Sequence, residues 1–154
     1  MRSSYYIATV VNAYKSIVES YLNNTLTDEV LNYYKKVLNR VSNRENKPQF
    51  FNKETDFNDQ YYLGRKEVSN QDFLGIVIDY NKKTHEVLLE QRNYFKVGDE
   101  VEVFGPSTSI QRFTIESIIN ENNESVMVAN HPEEKLFVKI PFEVKENDIL
   151  RVPI

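Results

Sequence analysis

Apolar positions recur along this chain with two different periods. Near the start, Ile7, Val10, Val11, Tyr14, Ile17, Val18, Tyr21 and Leu22 stand three and four residues apart, which predicts an amphipathic helix with one apolar stripe. Asn23-Asn24 ends it. Thr27 suits an N-cap, with Asp28 and Glu29 in the first turn facing the positive end of the helix dipole. Val30, Tyr34, Val37, Leu38 and Val41 make a second stripe, and Lys35, Lys36 and Arg40 come late, where cations suit the dipole. Two amphipathic helices with a short link predict an antiparallel pair over residues 1–41.

From residue 70 the period falls to two. Residues 73–80 are a strong strand, 81–84 a hairpin loop, and 87–90 the returning strand. Val101 and Val103 alternate with acidic residues, the pattern of a half-buried strand. Before it, Val97-Gly98-Asp99 is a tight corner where Gly98 can take a positive φ. Gly105-Pro106 ends it, since proline cannot continue a paired central strand. Further strands are predicted at 112–119, 125–129, 136–140 and 148–152. Short strands between regular turns predict a small antiparallel barrel over 70–154, because closure removes edge strands. The fold class is therefore mainly β with an N-terminal helical pair (α+β). Residues 42–69 have no period; Phe50, Phe51, Phe57, Tyr61 and Tyr62 are scattered among polar residues, which predicts an ordered connection pinned by aromatics.

Composition narrows function mostly by exclusion. The chain has 154 residues, enough for one ordinary domain or a small domain and an appendage. It has no cysteine, so disulfides, thiolate metal sites and a cysteine nucleophile are absent from it, and a cytoplasmic setting is expected. No apolar run is long enough to span a membrane. The net charge of −4 argues against a general nucleic-acid coat but leaves room for a local basic face.

Candidate chemistry is sparse. His85 and His131 are far apart and each falls at a turn; neither belongs to a zinc or di-iron spacing. Four glycines make no phosphate-cradling loop. Glu133-Glu134 reads as solvated charge. No cofactor or metal is expected. The best binding candidate is the corner at residues 91–96, where Arg92, Tyr94 and Lys96 combine cations with an aromatic ring. Such a set can pair with phosphates and stack an unpaired base, and Arg65 and Lys66 are candidates to extend it. The plainer alternative is a barrel corner with a core Phe95 and solvated charges.

Several segments resemble one family in the right order. They are Asn70-Gln71-Asp72-Phe73-Leu74-Gly75-Ile76-Val77, Glu90-Gln91-Arg92-Asn93-Tyr94-Phe95, Gly98-Asp99-Glu100-Val101-Glu102, Gly105-Pro106, Ala129-Asn130-His131-Pro132 and residues 144–151. The chain is similar to the C-terminal portion of the collagenase-like peptidases, peptidase family U32, and residues 2–14 resemble that family's segment just after its catalytic region. The resemblance implies a barrel like that of translation elongation factors, a catalytic domain upstream as partner, and no catalytic residue in this chain. It also implies a substrate that is protein or, as in relatives tied to tRNA uridine hydroxylation, tRNA. Two functions are expected to compete. One is an accessory domain that holds or covers substrate. The other is an assembly module, in which the stripe of the first helix packs on the catalytic domain or mediates a homo-oligomer.

Overall fold

The computed structural model describes residues 4–41 and 72–154. The aromatic connection predicted at 42–69, with Arg65 and Lys66, lies outside the described residues. Helix α1 (Ser4–Leu22) ends at Asn24, which takes φ 55°, a left-handed conformation that asparagine tolerates. Helix α2 (Asp28–Arg40) starts as its sequence predicts: the Val30 amide donates to the Thr27 hydroxyl at 3.3 Å, with Asp28 and Glu29 in the first turn.

Ten strands follow: β1 (Phe73–Asn81), β2 (Glu86–Gln91), β3 (Phe95–Lys96), β4 (Glu100–Phe104), β5 (Gln111–Thr114), β6 (Ile118–Ile119), β7 (Ser125–Val126), β8 (Val128–Ala129), β9 (Lys135–Lys139) and β10 (Ile149–Arg151). Eight form one antiparallel sheet in the order β5-β4-β10-β1-β2-β9-β6-β7, curled into a half-barrel; β3 and β8 form a separate two-stranded ribbon. The curl encloses Val77, Val87, Leu89, Val101, Val103, Leu136 and Val138, all essentially without solvent contact. This is the helical pair followed by a β-barrel-like domain that the periodicity predicts.

Two predicted strands divide. The run at 112–119 breaks between β5 and β6. Phe113, Ile115 and Ile118 are all buried, yet three-residue spacing cannot put Ile115 and Ile118 on one face of a straight strand. The chain turns between them, and Ile115 instead exchanges backbone bonds with the 98–99 corner (Gly98 N to Ile115 O, 2.8 Å; Ile115 N to Asp99 O, 3.0 Å). The run at 125–129 divides at Met127, because β7 pairs with β6 while β8 pairs with β3. Gly98 takes φ 92°, as its corner requires. Gly105 has a further reason to be glycine: a Cβ there would fall 1.7 Å from the carboxylate of the buried Asp148.

The alternation in β4 predicts a solvated Glu102, but Glu102 is fully buried. Its register partner on β10 is Arg151, also fully buried. The Arg151 Nε donates to Glu102 Oε1 at 2.7 Å, and Arg112 Nε donates to Oε2 at 3.2 Å. The Arg151 guanidinium also lies 4.4 Å over the Phe104 ring. What removes this outer face from water is the helical pair. Tyr5 of α1 stacks on Phe73 at 4.9 Å and packs with Phe104 and Ile149. At the end of α2, Arg40 makes a two-pronged bond to Asp72 (2.8 Å each) and donates to the Pro153 carbonyl at 3.0 Å.

The helix that does this covering presents an unexpected face. Tyr5, Thr9 and Ala13 are buried, whereas Ile7, Val11, Tyr14, Val18, Tyr21 and Leu22 of the predicted stripe are 54–70% exposed.

Two outcomes follow from this packing. Glu102→Ala leaves the Arg151 charge buried without its partner and should cost about 3–5 kcal/mol in urea unfolding. The double variant Glu102→Leu/Arg151→Met should recover most of that loss. Burial raises the pKa of the Tyr5 hydroxyl above its ordinary value of 10.0, and Arg151 opposes the shift. The unfolded chain therefore loses this proton first, so the stabilisation present below pH 10 declines as pH rises above it. Tyr5→Phe should make the alkaline decline in melting temperature shallower than in wild type.

Candidate functional site

The corner that carries the candidate binding residues is held from below by backbone bonds. The Arg92 and Asn93 amides both donate to the Leu74 carbonyl, at 2.8 and 3.3 Å. The Asn93 side chain donates to the Phe73 carbonyl at 2.7 Å, and Gln91 Nε2 donates to the Asn93 carbonyl at 3.2 Å. Gln91 also exchanges backbone bonds with the 133–134 loop, at 2.9 Å in each direction. The chain then enters β3, where Phe95 is buried in the core and pairs with the buried Ala129 of β8.

Strand alternation fixes what faces outward. Tyr94 and Lys96 flank the inward Phe95 and are exposed, Tyr94 by 54%. Val128 stands opposite Lys96 in the ribbon and is exposed, as is Met127 beside it. The ribbon therefore shows solvent an aromatic ring, an ammonium group and two apolar side chains. The far end of β3 is pinned as well: the Lys96 amide donates to Asp99 Oδ2 at 3.0 Å and the Val97 amide to the Met127 carbonyl at 2.9 Å.

Arg92 is placed differently. Its guanidinium pairs with Glu90 and stands 3.8 Å from Glu133, with the Phe73 ring 6.0 Å away. Two carboxylates thus share the cation, which reduces its pull on an outside phosphate. Arg65 and Lys66 lie outside the described residues. Met127 and Val128 escape sequence reasoning because their exposure depends on pairing with a strand more than thirty residues earlier, and no local pattern records that pairing.

Reactive groups are not gathered anywhere in the described part. His85, at φ 57° in its hairpin, meets the Tyr80 hydroxyl at 2.9 Å, and His131 pairs with Glu134 at 3.4 Å. Among the described residues no cluster of three metal-ligating side chains occurs, and no helix is long and apolar enough to cross a membrane.

The family model for peptidase family U32 matches residues 1–61, and the model for the peptidase family U32 C-terminal domain matches residues 69–151. The chain belongs to peptidase family U32, and most of its β part is that family's C-terminal domain. It is 30% identical over 151 residues to the tRNA hydroxylation protein P1 of Bacillus subtilis (strain 168), covering 98% of this chain and 36% of that protein. It is 28% identical over 148 residues to an uncharacterized protease of Methanocaldococcus jannaschii, covering 93% of this chain and 35% of the other. The chain thus spans about a third of the length of these relatives. A crystal structure of the C-terminal domain of a U32-family protein from Geobacillus thermoleovorans is similar at 32% identity and a TM-score of 0.51, covering 52% of this chain and 90% of that one.

The Asn93 bond to Phe73 gives the corner its shape, so Asn93→Ala should cost about 1–2 kcal/mol. Amide exchange at Arg92 and Asn93 should quicken while exchange in β1 and β2 stays slow; thermal unfolding and exchange mass spectrometry read both.

Proposed function

We propose that this chain is the non-catalytic, substrate-holding part of a U32-family protein, and that its substrate is RNA. In this reading the chemistry of the longer relatives resides in the portion this chain does not match. The observation that carries the proposal is the outward set on the β3–β8 ribbon: Tyr94 half-exposed beside Lys96, on a strand anchored by the buried Phe95. An exposed ring on a rigid strand can stack an unpaired base, and an adjacent ammonium can meet the phosphate next to it. The name of the Bacillus subtilis relative, tRNA hydroxylation protein P1, points the same way and favours a cytoplasmic setting. Arg92 contributes less, since Glu90 and Glu133 already share its charge.

A second reading, an assembly module, is favoured by one specific observation: the apolar stripe that α1 leaves in solvent. The two readings part in a titration with a tRNA anticodon stem-loop at low salt. Saturable binding is expected, with a shallow dependence on salt because few cations take part. Tyr94→Ala should weaken it by roughly 1–3 kcal/mol, Lys96→Ala by less, and Arg92→Ala least. Absence of saturable binding by wild type, or equal binding by Tyr94→Ala and Lys96→Ala, would put the assembly reading first. Saturable binding of an unstructured protein substrate at the same ribbon would replace RNA with protein.

A further inference from the structure

Helix α1 turns Tyr5, Thr9 and Ala13 inward and leaves Ile7, Val11, Tyr14, Val18, Tyr21 and Leu22 outside. Ile7, Val11, Tyr14, Val18 and Tyr21 follow a 4-3-4-3 spacing, the spacing of a seam that packs against another apolar element. All are more than half exposed, and none is charged. With Leu22 they offer on the order of 100 Å² each, about 600 Å² together, against the roughly 800 Å² that each partner gives up in a standard stable interface. A contiguous apolar surface of that size is uncommon on a monomer.

The stripe continues into a cleft of about 290 Å³ between α1 and the sheet, lined by Ala8, Val11, Ile76, Phe104, Pro106 and Ile149 among others. Val11 belongs to both, so one partner surface can lie along the stripe and send a bulky side chain into the cleft, as anchors do at interfaces. A membrane surface is a poor match, because the described helix carries only Lys15 and Glu19 as charges and lacks the basic face of an interfacial helix.

Two observations name the occupant. The peptidase family U32 model runs through α1 and α2, whereas most of the β part belongs to the separate C-terminal-domain model. The relatives carry about two-thirds of their length outside the region matched. We propose that the exposed stripe of α1 is the seat of the remainder of a U32 domain, which covers Ile7 to Leu22 and fills the adjoining cleft with an apolar side chain. The proposal rests on family membership and deepens the assembly reading; its test reads cover of α1 alone, so RNA binding at the ribbon can stand or fall separately.

The chain contains no cysteine, so single introduced thiols report local cover cleanly. Val11→Cys, Val18→Cys and, on the ribbon, Lys96→Cys are placed one at a time. Each is labelled in this chain alone and in the Bacillus subtilis relative with its matching third exchanged for this chain, and labelling is read peptide by peptide in the mass spectrometer. In the chain alone all three should react rapidly. In the longer protein positions 11 and 18 should slow at least tenfold while position 96 stays fast. If the exchanged protein does not fold, the thiols go into the matching positions of the relative itself. Rapid labelling at 11 and 18 in the longer protein overturns the proposal. So does slow labelling in the chain alone: if sedimentation shows a dimer, the occupant is a second copy, and if it shows a monomer, the chain covers its own stripe.

Discussion

The buried pair of Glu102 and Arg151 constrains the rest of the structure. Two charges taken out of water are tolerable only while each finds the other, and the antiparallel register of β4 and β10 is what holds them together. The pair stands on the outer face of the sheet, so something must shield that face. Tyr5 of α1 does so from above, and Arg112 supplies the second carboxylate oxygen with a donor from the side. The grip of Arg40 on Asp72 and on the Pro153 carbonyl then ties the end of α2 to both flanks of the same sheet region. The helices are thus part of the electrostatic environment of the β domain.

Helix α1 looks inverted. Its inner face carries Tyr5, Thr9 and Ala13, and Tyr5 packs on Phe73, Phe104 and Ile149. The large apolar residues are displaced to the outside. The ribbon of β3 and β8 is built on the opposite rule: Phe95 and Ala129 enter the apolar core, and the side chains left outside are the mixed aromatic, cationic and apolar set of Tyr94, Lys96, Met127 and Val128. The described residues therefore present two surfaces of different chemistry, one apolar and linear, the other amphipathic and short.

Local signals in the sequence were legible where the physics is local. Thr27 caps α2, Asn23-Asn24 ends α1, and Gly98 takes the positive φ that its corner demands. The hairpin between β1 and β2 and the alternation of buried residues along β2 and β9 are also plain from period alone. What could not be read were choices made by distant partners. Glu102 looks solvated until Arg151 is known to stand opposite it. The run from 112 to 119 looks like one strand until Ile115 and Ile118 both need the core. The apolar stripe of α1 marks a helix correctly but does not say that most of it faces solvent while Tyr5, Thr9 and Ala13 turn inward. At the candidate site, Tyr94 and Lys96 were visible as residue types, whereas the ion pairs of Arg92 with Glu90 and Glu133, and the exposure of Met127 and Val128, arise only from strand pairing.

The position of β10 has a consequence for how the chain acquires its shape. This strand comes last in the sequence yet lies between β1 and β4, well inside the sheet. As the protein emerges from the ribosome, β1 can pair with β2, but its other edge stays open until Arg151 has been made. Until then Glu102 has only the half-exposed Arg112 as a counterion and α1 has no finished surface to lie on. The closing step joins Phe73 to Arg151 and Ile76 to Ile149 across more than 70 residues of chain, a topology that folds slowly and keeps a bare strand edge in view meanwhile.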